Sequence, residues 1–374
     1  MKIARIYDEI EKMLEPNQVL VIYGPRQVGK TTLVKNFLAR TQLKWRYENG
    51  DNTRIQELGS ADFETIKEFA KGYDVIAFDE AQRIPNIGMV LKIIVDNIPG
   101  IRLIATGSSS FELAGQIGEP LTGRKQTLSL FPISQLELKK TLNNFDLKEK
   151  LEQQLIYGNY PKVMTRATND LKRKMAEEIA HSYLLKDILE LEKVKSSKIL
   201  LDLLRLLAFQ IGNEVSLSEL AQKVGINTKT VARYLDLFEK SFVLLNVRGY
   251  SGNLRDEITQ KSKYYFYDNG IRNAIIANFN ELPLRNDIGA LWENFVFMER
   301  LKKRSYEDIS ANVYFWRTWQ QQEVDIVEER EGKLFGYEIK YSDKNTKAPS
   351  QWKENYPTAS FEVITKENYL DFIA

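Results

Sequence analysis

The chain has 374 residues, of which 43% are hydrophobic and 28% charged, with a formal net charge of +2. That length exceeds one ordinary core, and so small a net charge means that any nucleic-acid contact must come from a local patch. There is no cysteine and only one histidine, His181, which excludes disulfides, thiolate chemistry, His-based triads and Cys- or His-clustered metal sites; catalysis must rest on carboxylates, Lys, Arg and hydroxyls.

Residues 1–16 predict a short amphipathic lead helix, with Ile3, Ile6, Ile10 and Leu14 on one face and Pro16 as its stop. The N-terminus lacks a signal-peptide apolar core and no run approaches membrane-spanning length, so the expected localisation is cytoplasmic, without a membrane partner. Next comes Val19-Leu-Val-Ile-Tyr-Gly24-Pro25-Arg26-Gln27-Val28-Gly29-Lys30-Thr31-Thr32. A strand-type run enters G-x-x-x-x-G-K-T, and a helical pattern leaves it. The glycines let the loop fold so that backbone N–H groups point at a polyphosphate. Lys30 offers a cation to the β and γ phosphates, and the Thr31 hydroxyl can ligate Mg²⁺. The expected ligand is ATP with Mg²⁺.

Strands are predicted at 19–23, 44–48, 74–78, 101–105 and 126–130, alternating with helical patterns, which implies a parallel sheet wrapped by helices. Tyr73-Asp-Val-Ile-Ala-Phe78-Asp79-Glu80 begins about fifty residues after the P-loop and ends in two acids. Ligands of such sheets lie at the carboxyl ends of the strands. Asp79 would hold Mg²⁺ through water, and Glu80 would polarise the attacking water. Ser108, in Thr106-Gly-Ser-Ser109, either senses the γ-phosphate or belongs to ordinary turn chemistry. Arg124, in Leu121-Thr-Gly-Arg124-Lys125, is either an arginine finger, supplied by a neighbouring subunit of a homo-oligomer, or a surface arginine.

From 134 to about 210 the pattern is helical, broken at Tyr157-Gly-Asn-Tyr-Pro161. Residues 215–235 read as helix, turn, helix, with Ser218 as first cap and Gly225 opening the turn. Residues 241–248 and 263–267 would supply a two-stranded wing. Asn227, Thr228, Lys229, Thr230 and Arg233 would face DNA from the start of the recognition helix. Lys223, Lys229, Arg233, Lys240 and Arg248 outnumber Glu219, Asp236 and Glu239 only mildly, so protein contact is the other option for this element.

The segment Gly289–Leu301 is a helix apolar on nearly all sides, so Glu293 within it needs a partner or a metal. Gln322–Val327 and Leu334–Tyr341 read as a hairpin. Alternation puts Glu338 and Lys340 on one face, about 7 Å apart, with Asp325 beside them. Such a set can hold Mg²⁺ or Mn²⁺ through Glu293, Asp325 and Glu338 and activate water against a phosphodiester, with Lys340 orienting the nucleophile. The alternative is a solvated strand face on which Lys340 offsets the acids.

Taken together the motifs resemble a family: the prokaryotic AAA+-related P-loop ATPases with a winged helix and a C-terminal restriction-endonuclease-like, PD-(D/E)xK, domain. The matching residues are Gly24–Leu33, Phe78–Gln82, Leu121–Arg124, Phe131–Ser134, Tyr157–Pro161, Tyr183–Asp187, Tyr265–Gly270, Glu293-Asn294, Glu323–Asp325 and Glu338–Lys340. Asn159 stands where that family usually has a second glycine, and the P-loop lacks the extra glycine of ring-forming motors, so a hexamer is not implied. The resemblance implies an α/β protein with a P-loop ATPase core at 1–133, a helical lid at 134–195, a winged helix at 196–268 and a nuclease-like domain at 269–374. The expected function is an Mg²⁺-dependent ATPase that engages DNA. The alternatives are a regulatory switch whose C-terminal domain binds partners without cleaving, and a motor acting on protein clients.

Overall fold

The computed structural model describes residues 3–107, 118, 120–184, 188, 197–251, 262–342 and 346–374. The chain separates into two compact units, one of residues 3–131 with 240–242 and the other of 132–239 with 243–374.

The first unit is built on a five-stranded parallel sheet in the order β2-β3-β4-β1-β5. Its strands are β1 (Gln18–Tyr23), β2 (Trp45–Asn49), β3 (Val75–Asp79), β4 (Arg102–Gly107) and β5 (Lys125–Ser129). The expected strands therefore appear within a residue or two of their predicted bounds. Val19, Val21, Ile22, Val75, Ile76 and Leu103 are fully buried; such continuous apolar strands need cover on both faces. That cover comes from helices α1 (Lys30–Leu38), α2 (Phe63–Ala70) and α3 (Ile87–Asn97). The lead segment differs from expectation. It forms turns and a single 3-10 turn at Ile10–Met13, with Ile10 and Leu14 buried and Ile3 and Ile6 only half so. Its anchors are Tyr7 and Arg5, which are buried instead; the side chains that pack here do not follow a helical stripe.

The second unit carries helices α4 (Asn144–Tyr157), α5 (Asn169–Glu178), α6 (Ser197–Phe209), α7 (Leu217–Val224), α8 (Thr228–Lys240) and α9 (Ile288–Tyr306). It also holds a seven-stranded mixed sheet in the order β12-β11-β10-β9-β7-β8-β6. The strands are β6 (Glu214–Val215), β7 (Leu244–Gly249), β8 (Ser262–Phe266), β9 (Asn312–Arg317), β10 (Glu323–Arg330), β11 (Lys333–Ile339) and β12 (Ser360–Ile364). The hairpin β7–β8 joins β9 through parallel pairing of Arg248 with Tyr314 and Gly249 with Phe315. One sheet thus runs from Glu214 to Ile364, across the boundary expected at 268. The expected helix–turn–helix is present, although Ser216 and not Ser218 caps α7, accepting from Glu219 N at 3.4 Å. Gly225 closes that helix at φ 72°, where a Cβ would be strained.

The Tyr157–Pro161 break is a buried turn. Gly158 has φ 80°, and a Cβ there would lie 1.9 Å from Asp268 Oδ1; the residue must be glycine. Asn159, at the second position, donates from its backbone N to Asp268 Oδ2 at 2.6 Å and from Nδ2 to Glu299 Oε1 at 3.3 Å. Its side chain therefore fits this turn without a glycine's freedom.

Candidate nucleotide site and carboxylate cluster

The P-loop leaves β1 at its carboxyl end and enters α1. Gly24 has φ 151°, and an added Cβ would sit 2.0 Å from Leu130 O. Gly29, at φ 103°, opens α1. Two glycines thus keep the loop tight and leave the first N–H groups of α1 pointing out of it. Gly24, Pro25, Val28 and Lys30 are buried, Arg26, Gln27, Gly29 and Thr31 half-buried, and Thr32 exposed. Lys30 Nζ donates to Gly24 O at 2.7 Å and Pro25 O at 2.8 Å, which holds the ammonium inside the curve of the loop.

Asp79, 4% exposed, ends β3 directly opposite this loop. Its Oδ2 accepts from Thr31 Oγ1 at 2.7 Å and Tyr47 OH at 2.6 Å, and its Oδ1 accepts from Thr106 Oγ1. Burial, followed by the Asp79 hydrogen bond, pushes the Tyr47 phenol above its ordinary value, so it stays a donor. Three hydroxyls therefore fix one carboxylate beside the P-loop threonine. Oxygen ligands in that arrangement suit Mg²⁺, and the glycine-shaped cradle suits a polyphosphate. The residues fit Mg²⁺ and a nucleoside triphosphate.

Glu80 follows in the left-handed region at φ 50°, a strain of order 1–3 kcal/mol for a non-glycine residue. Its backbone N donates to Thr106 Oγ1 at 3.3 Å, and Gln82 Nε2 donates to Glu80 Oε2 at 2.7 Å. The strained turn aims the carboxylate, and Gln82 holds one of its oxygens.

Arg5 was silent in the sequence. The residue is 8% exposed, and its guanidinium donates to Val28 O and Phe131 O, each at 2.7 Å. It braces the P-loop from behind. Tyr47 and Thr106 were also missed. Each is a common residue at the end of a strand, and only the parallel register puts them next to Asp79. Ser108 lies outside the described residues. Arg124 precedes β5 at the end where Lys125 pairs with Val19, and pairs with Asp96 Oδ1 at 3.1 Å. The P-loop leaves β1 at the opposite end, after Tyr23. Five residues of strand, about 16 Å, separate Arg124 from its own chain's P-loop; in cis it cannot reach a phosphate there.

Asn227, just before α8, and Thr228, Lys229 and Arg233 on it are exposed, and Thr230 is half-exposed. Asn227 also serves the helix, since Oδ1 accepts from Thr230 N at 2.8 Å and from Thr230 Oγ1 at 3.0 Å. Asn227 and Thr230 are thus engaged with each other, while Lys229 and Arg233 are exposed, the Arg233 guanidinium lying 5.5 Å from the centroid of the Tyr234 ring.

The C-terminal carboxylates gather. Ile326 pairs with Tyr337 across β10–β11, which brings Asp325 level with Glu338. Asp325 Oδ2 accepts from Ile339 N at 2.7 Å. Lys340 Nζ lies 2.7 Å from Glu338 Oε1. Glu293 reaches in from α9, and its Oε1 accepts from Tyr265 OH at 2.7 Å. Burial pushes Glu293 up to about 7, and the facing Asp325 adds to the rise while Lys263 opposes it. Burial and then Asp325 push Glu338 up to about 7. Among the described residues, however, no three acidic side chains stand close enough together to hold one metal ion. The expected set is joined by residues the sequence did not flag: Lys263 and Tyr265 on β8 and Glu323 on β10. Lys263, 1% exposed, lies 3.6 Å from Glu293 Oε1 and forms a close ion pair with Glu323 Oε1. Burial alone would depress its ammonium, but Glu293, Asp325 and Glu323 outweigh it and hold the charge on.

Comparison with known proteins agrees with the P-loop geometry. Residues 16–139 match the family model of an AAA domain. This chain carries an AAA-related P-loop domain, and its fold class is α/β. Residues 148–282 and 288–370 match two domains of unknown function, DUF8612 and DUF4143. An uncharacterised protein of Mycobacterium tuberculosis is 27% identical over 347 residues, covering 91% of this chain and 73% of that protein. One from Haemophilus influenzae is 23% identical over 373 residues, covering 90% and 87%. Among solved structures, a Walker-type ATPase of Pyrococcus abyssi is 15% identical with a TM-score of 0.48, covering 72% of this chain and 94% of that one. The Thermotoga maritima RuvB Holliday junction branch migration motor is 17% identical with a TM-score of 0.31, covering 64% and 85%. No helix among the described residues is long and apolar enough to cross a membrane.

Proposed function

We propose that the protein hydrolyses ATP with Mg²⁺ and engages DNA through the exposed start of α8, within a winged helix. The observation that carries the ATPase reading is the Asp79 carboxylate held by Thr31, Thr106 and Tyr47, with Glu80 beside it on a strained turn. Binding alone has no need of that second acid. Lys30 leaves its two loop carbonyls to meet the β and γ phosphates, and the N–H groups of the loop and of α1 hold the remaining oxygens. Bound Mg²⁺ would be held at Thr31 and Asp79 and would offset phosphate charge. Glu80 accepts the proton of the attacking water at its carboxylate while Gln82 keeps that group in place. Arg124 serves this chemistry only from a second copy of the chain.

The test is a pair of variants. Lys30→Ala should abolish tight ATP binding, whereas Glu80→Gln should bind ATP with near wild-type affinity and lose turnover by about a hundredfold or more. Wild-type turnover in Glu80→Gln would remove Glu80 from the mechanism.

For the C-terminal cluster two readings stand, metal-dependent cleavage of nucleic acid and partner binding without cleavage. The second is favoured by Lys263, whose buried ammonium already pairs with Glu293 and Glu323. Incubating the protein with plasmid and single-stranded DNA in Mg²⁺ or Mn²⁺, with and without ATP, decides between them. Strand cleavage lost in Asp325→Ala and Lys340→Ala, with ATPase activity intact, would establish the nuclease.

A further inference from the structure

A buried lysine enters the C-terminal cluster from a strand outside the D…E-x-K hairpin. Lys263, on β8, has its ammonium 3.6 Å from Glu293 Oε1 and in a close ion pair with Glu323, with Asp325 near enough to help hold its charge, and Glu293 Oε1 also accepts from the Tyr265 hydroxyl at 2.7 Å. Glu338 Oε2 is buried and accepts no hydrogen bond among the described residues, and the residue is 8% exposed. The acids thus face inward as a cation site does, and one carboxylate oxygen is left without a donor. A buried group of like charges needs an internal cation. A divalent ion is one solution and a tethered ammonium is another.

We propose that Lys263 is the buried built-in cation of this cluster, beside the more exposed Lys340 on Glu338 and Arg317 near Glu323, and that its ammonium closes the cluster to divalent metal. Two features support the assignment. The ammonium is in ion-pair contact with Glu293 and Glu323, acids that any metal bound here would have to share. The neighbouring acids already interact with one another, since Asp325 helps to raise both Glu293 and Glu338, so the ammonium sits where a divalent ion would have to enter. The inference depends on the cluster geometry and not on ATP hydrolysis, so the two fail separately.

The experiment titrates Mn²⁺ into full-length, nucleotide-free protein, with free Mn²⁺ read by electron paramagnetic resonance. Wild type and Asp325→Asn should give the same titration, because the cluster takes no metal while Lys263 is in place. Lys263→Met should gain one Mn²⁺ per chain, at least about ten-fold tighter than wild type, since a unit positive charge among the acids has been removed. The gain should vanish in the Lys263→Met/Asp325→Asn double variant, and Lys263→Arg should behave as wild type. Mn²⁺ binding by the wild type that Asp325→Asn weakens would overturn the proposal, as would a folded Lys263→Met that gains no site. Circular dichroism checks the fold. If Lys263→Met does not fold, Lys263→Gln takes its place with the same expected gain, and a folded Lys263→Gln without the site overturns the proposal.

Discussion

Replacing Arg5 with Met should loosen the P-loop without touching a phosphate ligand. The guanidinium makes two hydrogen bonds of 2.7 Å to Val28 O and Phe131 O. Each charge-assisted bond is worth about 1.5–3 kcal/mol, and its loss leaves a buried carbonyl without that donor. Methionine fills much of the same volume, so the cavity term is small and the polar term dominates. The expected cost is about 3–5 kcal/mol in the unit of residues 3–131. With a urea slope of about 2 kcal/mol per molar, the unfolding midpoint of that unit should fall by roughly 1.5–2.5 M. Trp45 is the only tryptophan in that stretch and reports its unfolding once the other four are replaced by phenylalanine. The Val28 carbonyl belongs to the P-loop itself, so affinity for a fluorescent ATP analogue should weaken about ten-fold or more. Arg5→Lys keeps the charge but reaches only one carbonyl and should fall between. An unchanged midpoint together with unchanged nucleotide affinity would refute the bracing role.

Three further outcomes are expected. If Arg124 acts in trans, Arg124→Ala should bind ATP yet turn over slowly, and mixing it with Glu80→Gln should partly restore activity; no recovery in proteins that co-assemble would rule this out. Removing the charges of Lys229 and Arg233 should weaken DNA binding and reduce its salt slope by up to about two units, and an unchanged salt series would move α8 to protein contact. Glu293 and Glu338 are raised from 4.5 to about 7 in the folded state. Their contribution to stability is therefore complete below the unfolded value and is lost as pH rises toward 7. Glu338→Gln should flatten the fall in the urea midpoint between pH 5 and 8, and parallel slopes for variant and wild type would contradict this.

The readable parts of the molecule were those whose chemistry is contiguous. The P-loop, the Asp79-Glu80 pair and the β10–β11 hairpin declare themselves because loop geometry and period-two alternation act over a few neighbouring residues. The same alternation placed Asp325, Glu338 and Lys340 together. What stayed hidden depends on which strand lies beside which. Tyr47 and Thr106 meet Asp79 only through the order β2-β3-β4. Lys263 meets Glu293 and Glu323 only because β8 shares a sheet with β10. The lead segment misled because its isoleucines fit a helical stripe, while burial there is decided by Tyr7 and Arg5. Arg124 was recognisable as a motif, but only the register of β5 on β1 assigns it to the far end of the sheet.

The continuity of the seven-stranded sheet has a consequence for inheritance. The stretches matching DUF8612 and DUF4143 end and begin within a few residues of each other, at 282 and 288, as if they were separable modules. The β7–β9 pairing and the reach of Lys263 into the acids make them one cooperative body. Cutting between them would bare two strand edges and strip a set of buried acids of their counter-charge. Shuffling one half without the other would yield an aggregating fragment, so the two should travel together through evolution as a single exchangeable unit, and any dissection of this protein should keep residues 132–374 whole.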